Sequence, residues 1–512
     1  MSAPDRPVRR DARTLRDLVL DPGSWTSWDR PLDQRPADEG YARELVEAAE
    51  KSRQDEAVIT GEGRLRGRRV AVVAGEFGFL AGSIGVAAAE RLVSAVERAT
   101  EEGLPLLAAP VSGGTRMQEG TVAFLQMIGI TAAIARHKEA GLPYLVYLRH
   151  PTFGGVLASW GSTGHVTIAE PGASIGFLGP RVYEALYGEK FPMGVQTAEN
   201  LAEHGLIDAV VPHDEIGDVA DRALRVLSAR QTWHLDVRDA ERPRPEDGTD
   251  ADDPEDSRSA WDVVLASRRP DRPGVRRLLR TAATDVVGLS GTGAGERDPG
   301  LLLALARFGG APCVVLGQDR RGQSLTAPLG PAALREARRG MRLAAELHLP
   351  LVTLIDTPGA ALSKEAEEGG LAGEIARCLQ DLVMLRAPTL AVLLGQGTGG
   401  GALALVPADR VLAAANGWLG PLPPEGASAI VHRTVDRAGD MAQQQGVRAT
   451  ELWRAGIVDR VVPERPDAAD EPVEFCRRLG RVLGEELAGL LGRDDSERHR
   501  RRLHRYRHLG RA

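Results

Sequence analysis

The feature that most constrains this chain is that its second half repeats the first at a nearly fixed separation. Leu104-Pro105 leads into an apolar run, and Leu349-Pro350 does the same 245 residues later. The first run ends in Ser112-Gly113-Gly114 and the second in Thr357-Pro358-Gly359, again 245 apart at Gly114 and Gly359. Pro143 precedes Tyr144-Leu145-Val146-Tyr147-Leu148, and Pro388 precedes Thr389-Leu390-Ala391-Val392-Leu393-Leu394. Gly154-Gly155 then corresponds to the Gly399-Gly400-Gly401 run, with a one-residue ambiguity. Gly205-Leu206-Ile207-Asp208 returns as Gly456-Ile457-Val458-Asp459, now 251 residues on. Scattered glycines would give one such match, but five in order require two copies of one folding unit.

Within each copy, short apolar runs of strand length alternate with helix-length segments such as Gly129 to His137 and Ala372 to Leu385. That alternation predicts crossover connections and an α/β unit. Core-like sequence starts at Arg69-Val70-Ala71-Val72-Val73-Ala74 in the first copy and near Ala311 to Gly317 in the second. The 512 residues then divide into a polar, loosely helical lead-in (1–60), a first domain (61–230), a linker (231–262), a second domain (263–490) and a basic tail (491–512). Asp236 to Asp256 holds ten acids against three arginines, a balance of −7 that equals the charge of the whole chain. It reads as a solvated linker, with a partner-binding tail as the alternative. The arginine- and histidine-rich end, Glu497 to Arg511, reads as a solvated helix end rather than a nucleic-acid site.

Composition excludes several classes of function. A net charge of −7 and only 4% aromatic residues fit neither a polyanion binder nor a base-stacking platform, so no nucleic-acid partner is expected. No apolar run approaches the roughly 20 residues of a membrane span, and the N-terminus lacks an apolar signal core, which predicts a cytoplasmic protein. Cys313, Cys378 and Cys476 are too far apart for a disulfide framework or a cysteine zinc site and read as small buried hydrophobes. The histidines show no ligand spacing, so no metal site is expected. Lysines are confined to Lys51, Lys138, Lys190 and Lys364. None follows a glycine as in a phosphate-binding P-loop, and none has the methionine flanks of a biotin-attachment site.

A strand that runs into Gly-Gly and then a helix leaves backbone N–H groups at the helix start without partners. Such groups can hold a developing negative charge, and glycine lets a carbonyl approach them. Each copy carries one such element: Thr152-Phe153-Gly154-Gly155-Val156 and Thr398-Gly399-Gly400-Gly401-Ala402. Close helix–strand packing explains either glycine pair alone about as well. Repetition at corresponding positions favours two oxyanion holes, suited to a reaction in which two carbonyl oxygens become anionic together.

In these motifs the chain resembles the carboxyltransferase component of bacterial acetyl-CoA carboxylase, with β-type and α-type subunits fused. The β-like half carries Ser112-Gly113-Gly114-Thr115-Arg116-Met117-Gln118-Glu119-Gly120, Pro151 to Val156, Ala169-Glu170-Pro171-Gly172-Ala173 and Ile175 to Val182. The α-like half carries Ile355-Asp356-Thr357-Pro358-Gly359-Ala360, Glu365 to Gly369, Gly395 to Leu403 and Pro424-Glu425-Gly426-Ala427. The resemblance spans roughly residues 60–215 and 265–465. It implies tandem duplicated crotonase-like (ClpP/crotonase) α/β domains. It also implies transfer of carboxylate from carboxybiotin on a carrier protein to an acyl-CoA, foremost acetyl-CoA to malonyl-CoA.

By the same resemblance, the amides of Gly154, Gly155 and Val156 would stabilise the thioester enolate. Those of Gly400, Gly401 and Ala402 would stabilise the biotin ureido oxygen. Ser112, Gly113, Gly114 and Arg116 would shape the CoA side, with Gly359 and Ala360 beside the second glycine element. For Arg116, structural and phosphate-binding roles stand level, and Glu367 and Glu368 can be solvated helix charges. The implied partners are a biotin carboxyl carrier protein, a biotin carboxylase subunit and further copies of the chain. Four features depart from the family pattern. No four-cysteine zinc ribbon precedes the first domain, Ala361-Leu362-Ser363 replaces Tyr-Pro-Gly, Gly-Gln-Gly-Thr-Gly replaces Gly-Glu-Gly-Gly-Ser, and His165 stands where aspartate is common. A malonate or malonyl-thioester decarboxylase of the same fold and a non-catalytic scaffold subunit are the competing functions.

Overall fold

The computed structural model describes residues 10–30, 38–228, 258–324 and 328–507. The chain divides into two compact units, Met1–Ser228 with Gly293–Glu296, and Ala229–Thr292 with Arg297–Ala512. The acidic segment Asp236 to Asp256 lies outside the described residues.

The first unit holds a seven-stranded sheet ordered Thr26–Ser27, Val58–Leu65, Arg68–Gly75, Leu106–Ala109, Tyr144–Leu148, Val166–Ala169 and Ala209–Val210. The second holds Thr284–Leu289, Leu301–Phe308, Ala311–Gln318, Leu351–Thr357, Thr389–Gly397, Arg410–Ala414 and Arg460–Val462 in the same order. In both, the first two pairings are antiparallel and the remaining four parallel. Even the register is duplicated, since Leu106 pairs with Tyr144 and Leu351 with Thr389. The tight hairpins repeat too. Arg66-Gly67 and Gly309-Gly310 each place two successive residues at positive φ, the geometry of a two-residue turn matched to strand twist.

The central strands are buried along their whole length, which is why they read as unbroken apolar runs rather than alternating ones. Helix Val86–Glu101 buries Ala88, Ala89, Leu92, Ala95, Val96 and Ala99, a stripe at helical spacing. It packs with helix Gly120–Glu139 over Val73, Leu106 and Val146. The segments expected near Gly129 and Ala372 are helices Gly120–Glu139 and Leu371–Met384. Cys313, Cys378 and Cys476 are all buried.

Two expectations need correction. The described residues 10–30 and 38–60 are not a loose lead-in, because strand Thr26–Ser27 is the sheet edge and helix Ala12–Val19 buries Ala12, Leu15 and Val19. The basic end, as far as residue 507, is a helix solvated on one side only. Helix Asp495–Arg505 buries Arg498 and Arg502, whose guanidinium groups both reach the buried carboxylate of Asp409, at 2.9 and 2.6 Å. A charge can be buried when paired and hydrogen-bonded in this way, and a charge count along the chain does not show the pairing.

Candidate active site

Within each unit the repeated motifs lie at the C-terminal ends of the parallel strands, the usual ligand edge of an α/β sheet. Beyond strand Leu106–Ala109, Ser112 Oγ accepts the N–H of Gly114 at 2.9 Å. Beyond strand Leu351–Thr357, Thr357 Oγ1 accepts the N–H of Gly359 at 3.2 Å. These matching turns put Gly114 and Gly359 at φ of +126° and +139°, a region that favours glycine. The next residue in each unit, Thr115 or Ala360, forms a parallel bridge with Ile84 or Leu329. The bridge uses the flanking backbone groups. Ile84 N–H donates to Gly114 O, and Arg116 N–H donates to Ile84 O. The N–H of Thr115 and that of Ala360 therefore face the opposite edge. Among the described residues, neither meets an acceptor.

The second component is the start of the following helical turn. Gly154 has φ +69° and gives its N–H to Phe177 O at 2.9 Å; Gly399 has φ +62° and gives its N–H to Gly420 O at 2.9 Å. This matching geometry resolves the one-residue ambiguity. Gly155 and Val156 correspond to Gly400 and Gly401. Among the described residues, none of these four N–H groups meets an acceptor. Gly154 and Ala402 differ from the expectation, since the N–H of Gly154 is committed to Phe177 O and that of Ala402 donates to Thr398 O at 3.4 Å. The free donors of the second element are those of Gly400 and Gly401.

Each unit brings its two components into contact. A Cβ added to Gly154 would lie 3.2 Å from Gly114 Cα, and one on Gly155 would lie 3.4 Å from Thr115 Oγ1. A Cβ on Gly401 would lie 3.4 Å from both the nitrogen and the Cβ of Ala360. Each unit thus offers N–H donors from a strand end and from a helix start, close to Gly155 in the first unit and to Gly401 in the second. That is what an oxyanion hole needs. Gly113, by contrast, spends its N–H on Ala81 O at 2.8 Å and shapes the first turn. No local pattern marks Thr115 as a donor, although the 245-residue offset from Ala360 points to it.

Arg116 has a different place. It is fully buried, with Nη1 2.9 Å from Glu56 Oε2, Nη2 on Glu56 Oε1, and Nη2 donating to Ser83 O at 2.8 Å. Burial opposes its charge, but the hydrogen bonds and charge of Glu56 outweigh it and hold Arg116 above the usual arginine range. Its donors are committed to the protein, so the geometry supports the structural role rather than phosphate binding. Glu367 and Glu368 are exposed. His165 performs the task of an aspartate. Its Nδ1 accepts Tyr144 N–H at 2.9 Å, as Asp409 Oδ2 accepts Thr389 N–H at 2.8 Å in the second unit. Among the described residues, no group of three or more His, Cys, Asp or Glu converges as metal ligands, and no helix is long and apolar enough to cross a membrane.

The carboxyl transferase domain family model matches residues 9–493. A Mycobacterium tuberculosis protein described as "probable biotin-dependent acyl-coenzyme A carboxylase beta3 subunit" is 62% identical over 496 residues, covering 97% of this chain and 98% of its own. The acetyl-coenzyme A carboxylase carboxyl transferase subunits beta/alpha of Salinispora tropica is 37% identical over 517 residues, covering 98% and 91%. Among solved structures, transcarboxylase 12S superposes with a TM-score of 0.71 at 22% identity, covering 92% of this chain and 89% of that one. These similarities, together with the duplicated sheets, show that the chain belongs to the carboxyl transferase domain family and is built as tandem crotonase-like α/β domains.

Proposed function

We propose that the chain is the carboxyltransferase subunit of a biotin-dependent acyl-CoA carboxylase, with β-like and α-like halves in one polypeptide. The observation that carries this is the same donor arrangement built twice, at Thr115 with Gly155-Val156 and at Ala360 with Gly400-Gly401. The 62% identical relative, by its description a biotin-dependent acyl-CoA carboxylase subunit, supports it. Carboxybiotin, delivered on a carrier protein, would supply the carboxyl group and then the nitrogen that takes the α-proton of the acyl-CoA. The chain's own task is electrostatic. The first set of amides would meet the thioester oxygen as enolate charge develops. The second would meet the ureido oxygen as the carboxyl group leaves. Both sets point fixed dipoles at charge that grows only in the transition state, which is where such donors lower a barrier. No side-chain base is required, consistent with a site made of glycines.

Acetyl-CoA is the first acceptor to test, and a biotin carboxyl carrier protein and a biotin carboxylase subunit are the partners that would complete the carboxylase. The test is the reverse reaction, with malonyl-CoA or methylmalonyl-CoA plus free biotin, followed as release of acetyl-CoA or propionyl-CoA. Biotin-dependent turnover supports the proposal, and the preferred thioester sets the substrate. Turnover that is independent of biotin would make the chain a decarboxylase, and none with either thioester would overturn the proposal.

A further inference from the structure

The two candidate holes are not supported alike. Gln318 ends strand Ala311–Gln318 and is completely buried. Its Nε2 donates to Gly401 O at 2.7 Å, and its Oε1 accepts Asp356 N–H at 3.1 Å. One side chain therefore ties the helix start bearing Gly400 and Gly401 to the strand end that leads to Ala360. Gln323 grips the same strand end. Its Nε2 donates to Asp356 O at 3.2 Å, and its Oε1 accepts from Thr357 Oγ1 at 2.6 Å. Thr357 also caps the Gly359 turn.

Among the described residues, the first unit has no glutamine tie of this kind; its side-chain link is a single bond from Thr152 Oγ1 to Pro110 O at 3.2 Å. Ala71 pairs with Leu106 as Val314 pairs with Leu351, so the counterpart of Gln318 is Gly75. A Cβ on Gly75 would lie 2.9 Å from Val111 N, which leaves no room for a side chain. Val156 O, the counterpart of Gly401 O, is held instead by the N–H of Gly161, at 2.8 Å and five residues along the chain. That local bond connects nothing to Thr115.

We infer that Gln318 is a positioning residue for the second hole alone, fixing the Gly400–Gly401 amides relative to the Ala360 amide. An amide side chain suits this because it donates and accepts at once, at the reach that spans the two backbone segments. The inference rests on the proposed two-hole function only for its kinetic consequence.

The test is Gln318→Met, which keeps volume and loses both hydrogen bonds. In the biotin-dependent reverse assay, kcat should fall about 10- to 100-fold, because small misplacements of reacting groups cost about that much. KM for the acyl-CoA should stay within about twofold, because the first hole is untouched. In hydrogen exchange, which needs no substrate, amides of residues 399–404 should exchange at least about tenfold faster while those of 154–158 keep wild-type rates. Gln318→Glu keeps the acceptor for Asp356 N–H but cannot donate to Gly401 O when ionised. It should share the kinetic defect at pH 8. A residue that merely fills the core would show a lowered melting temperature, with exchange and kcat changed equally at both elements or at neither. That outcome overturns the inference, as does wild-type exchange at 399–404. An inactive wild-type chain with locally faster exchange in Gln318→Met would overturn the carboxyltransferase proposal and leave the tie standing.

Discussion

Replacing Gly401 by alanine separates chemistry from architecture. The added methyl would lie 3.4 Å from Ala360 Cβ and 3.5 Å from Leu329 Cδ2, ordinary contact distances, so nothing must move to admit it. Gly401 lies in helix Gly399–Leu403, where alanine is favoured over glycine by up to about 1 kcal/mol. Stability should hold or rise slightly. The same methyl, however, would lie 3.4 Å from the nitrogen of Ala360. An oxygen accepting from that N–H must come to about 2.9 Å, and the methyl carbon takes the space it needs. Loss of one oxyanion-hole donor costs about 10²–10³ in rate, or roughly 3–4 kcal/mol. Gly401→Ala should therefore melt at or above the wild-type temperature while losing at least about 99% of its biotin-dependent turnover of malonyl-CoA or methylmalonyl-CoA. The assay is initial rate against biotin concentration, beside a thermal melt of the same preparation. Wild-type kcat and KM in a normally folded Gly401→Ala protein would refute the placement of the second hole.

Arg116→Met should cost about 3–5 kcal/mol, because it strands the buried carboxylate of Glu56, and the Glu56→Leu/Arg116→Met double variant should recover most of it in urea unfolding. Recovery of stability with an unchanged KM for acyl-CoA would confirm the structural role, whereas a KM rise persisting in the double variant would restore phosphate binding. Burial raises the carboxyl of Glu336 from 4.5 to about 7, against the opposing backbone N–H of Gly291. The folded chain thus favours the protonated acid, and this group's stabilisation is complete below about pH 4.5 and lost as pH rises through about 7. Glu336→Gln should match wild type near pH 4 and exceed it at pH 8 by up to about 3 kcal/mol, and equal stability at both pH values would contradict this. His165→Asp should fold normally, because Asp409 shows that a carboxylate can accept the equivalent strand N–H, while His165→Leu should lose about 1–3 kcal/mol by orphaning Tyr144 N–H. The purified chain should hold no stoichiometric zinc by elemental analysis and no biotin by streptavidin blot.

The duplication was legible in the sequence because glycines and prolines at strand ends are tied to backbone geometry that cannot drift without breaking the turn. That is why offsets counted along the chain reappear as identical strand register. The apolar runs named the central strands because both their faces are buried. Strand Val58–Leu65 escaped notice for the opposite reason. Gly61, Glu62, Gly63 and Arg64 interrupt its pattern, and Gly61 and Gly63 are small because Trp25 and Leu20 lie against them from the N-terminal segment. Two α/β units, the turns at their strand ends and the glycine elements are all written in local residue patterns. It takes the packed chain to show that Gly401 rather than Ala402 has its N–H to spare, that Arg116 belongs to Glu56, that Asp409 pairs with two buried arginines of the last helix, and that Gln318 supports one hole and not the other. Hydrophobic and glycine patterns are local and periodic, so they survive in one dimension. The partner of a charge or an amide is set by which distant segment the packed chain brings within about 3 Å, and no local pattern records it.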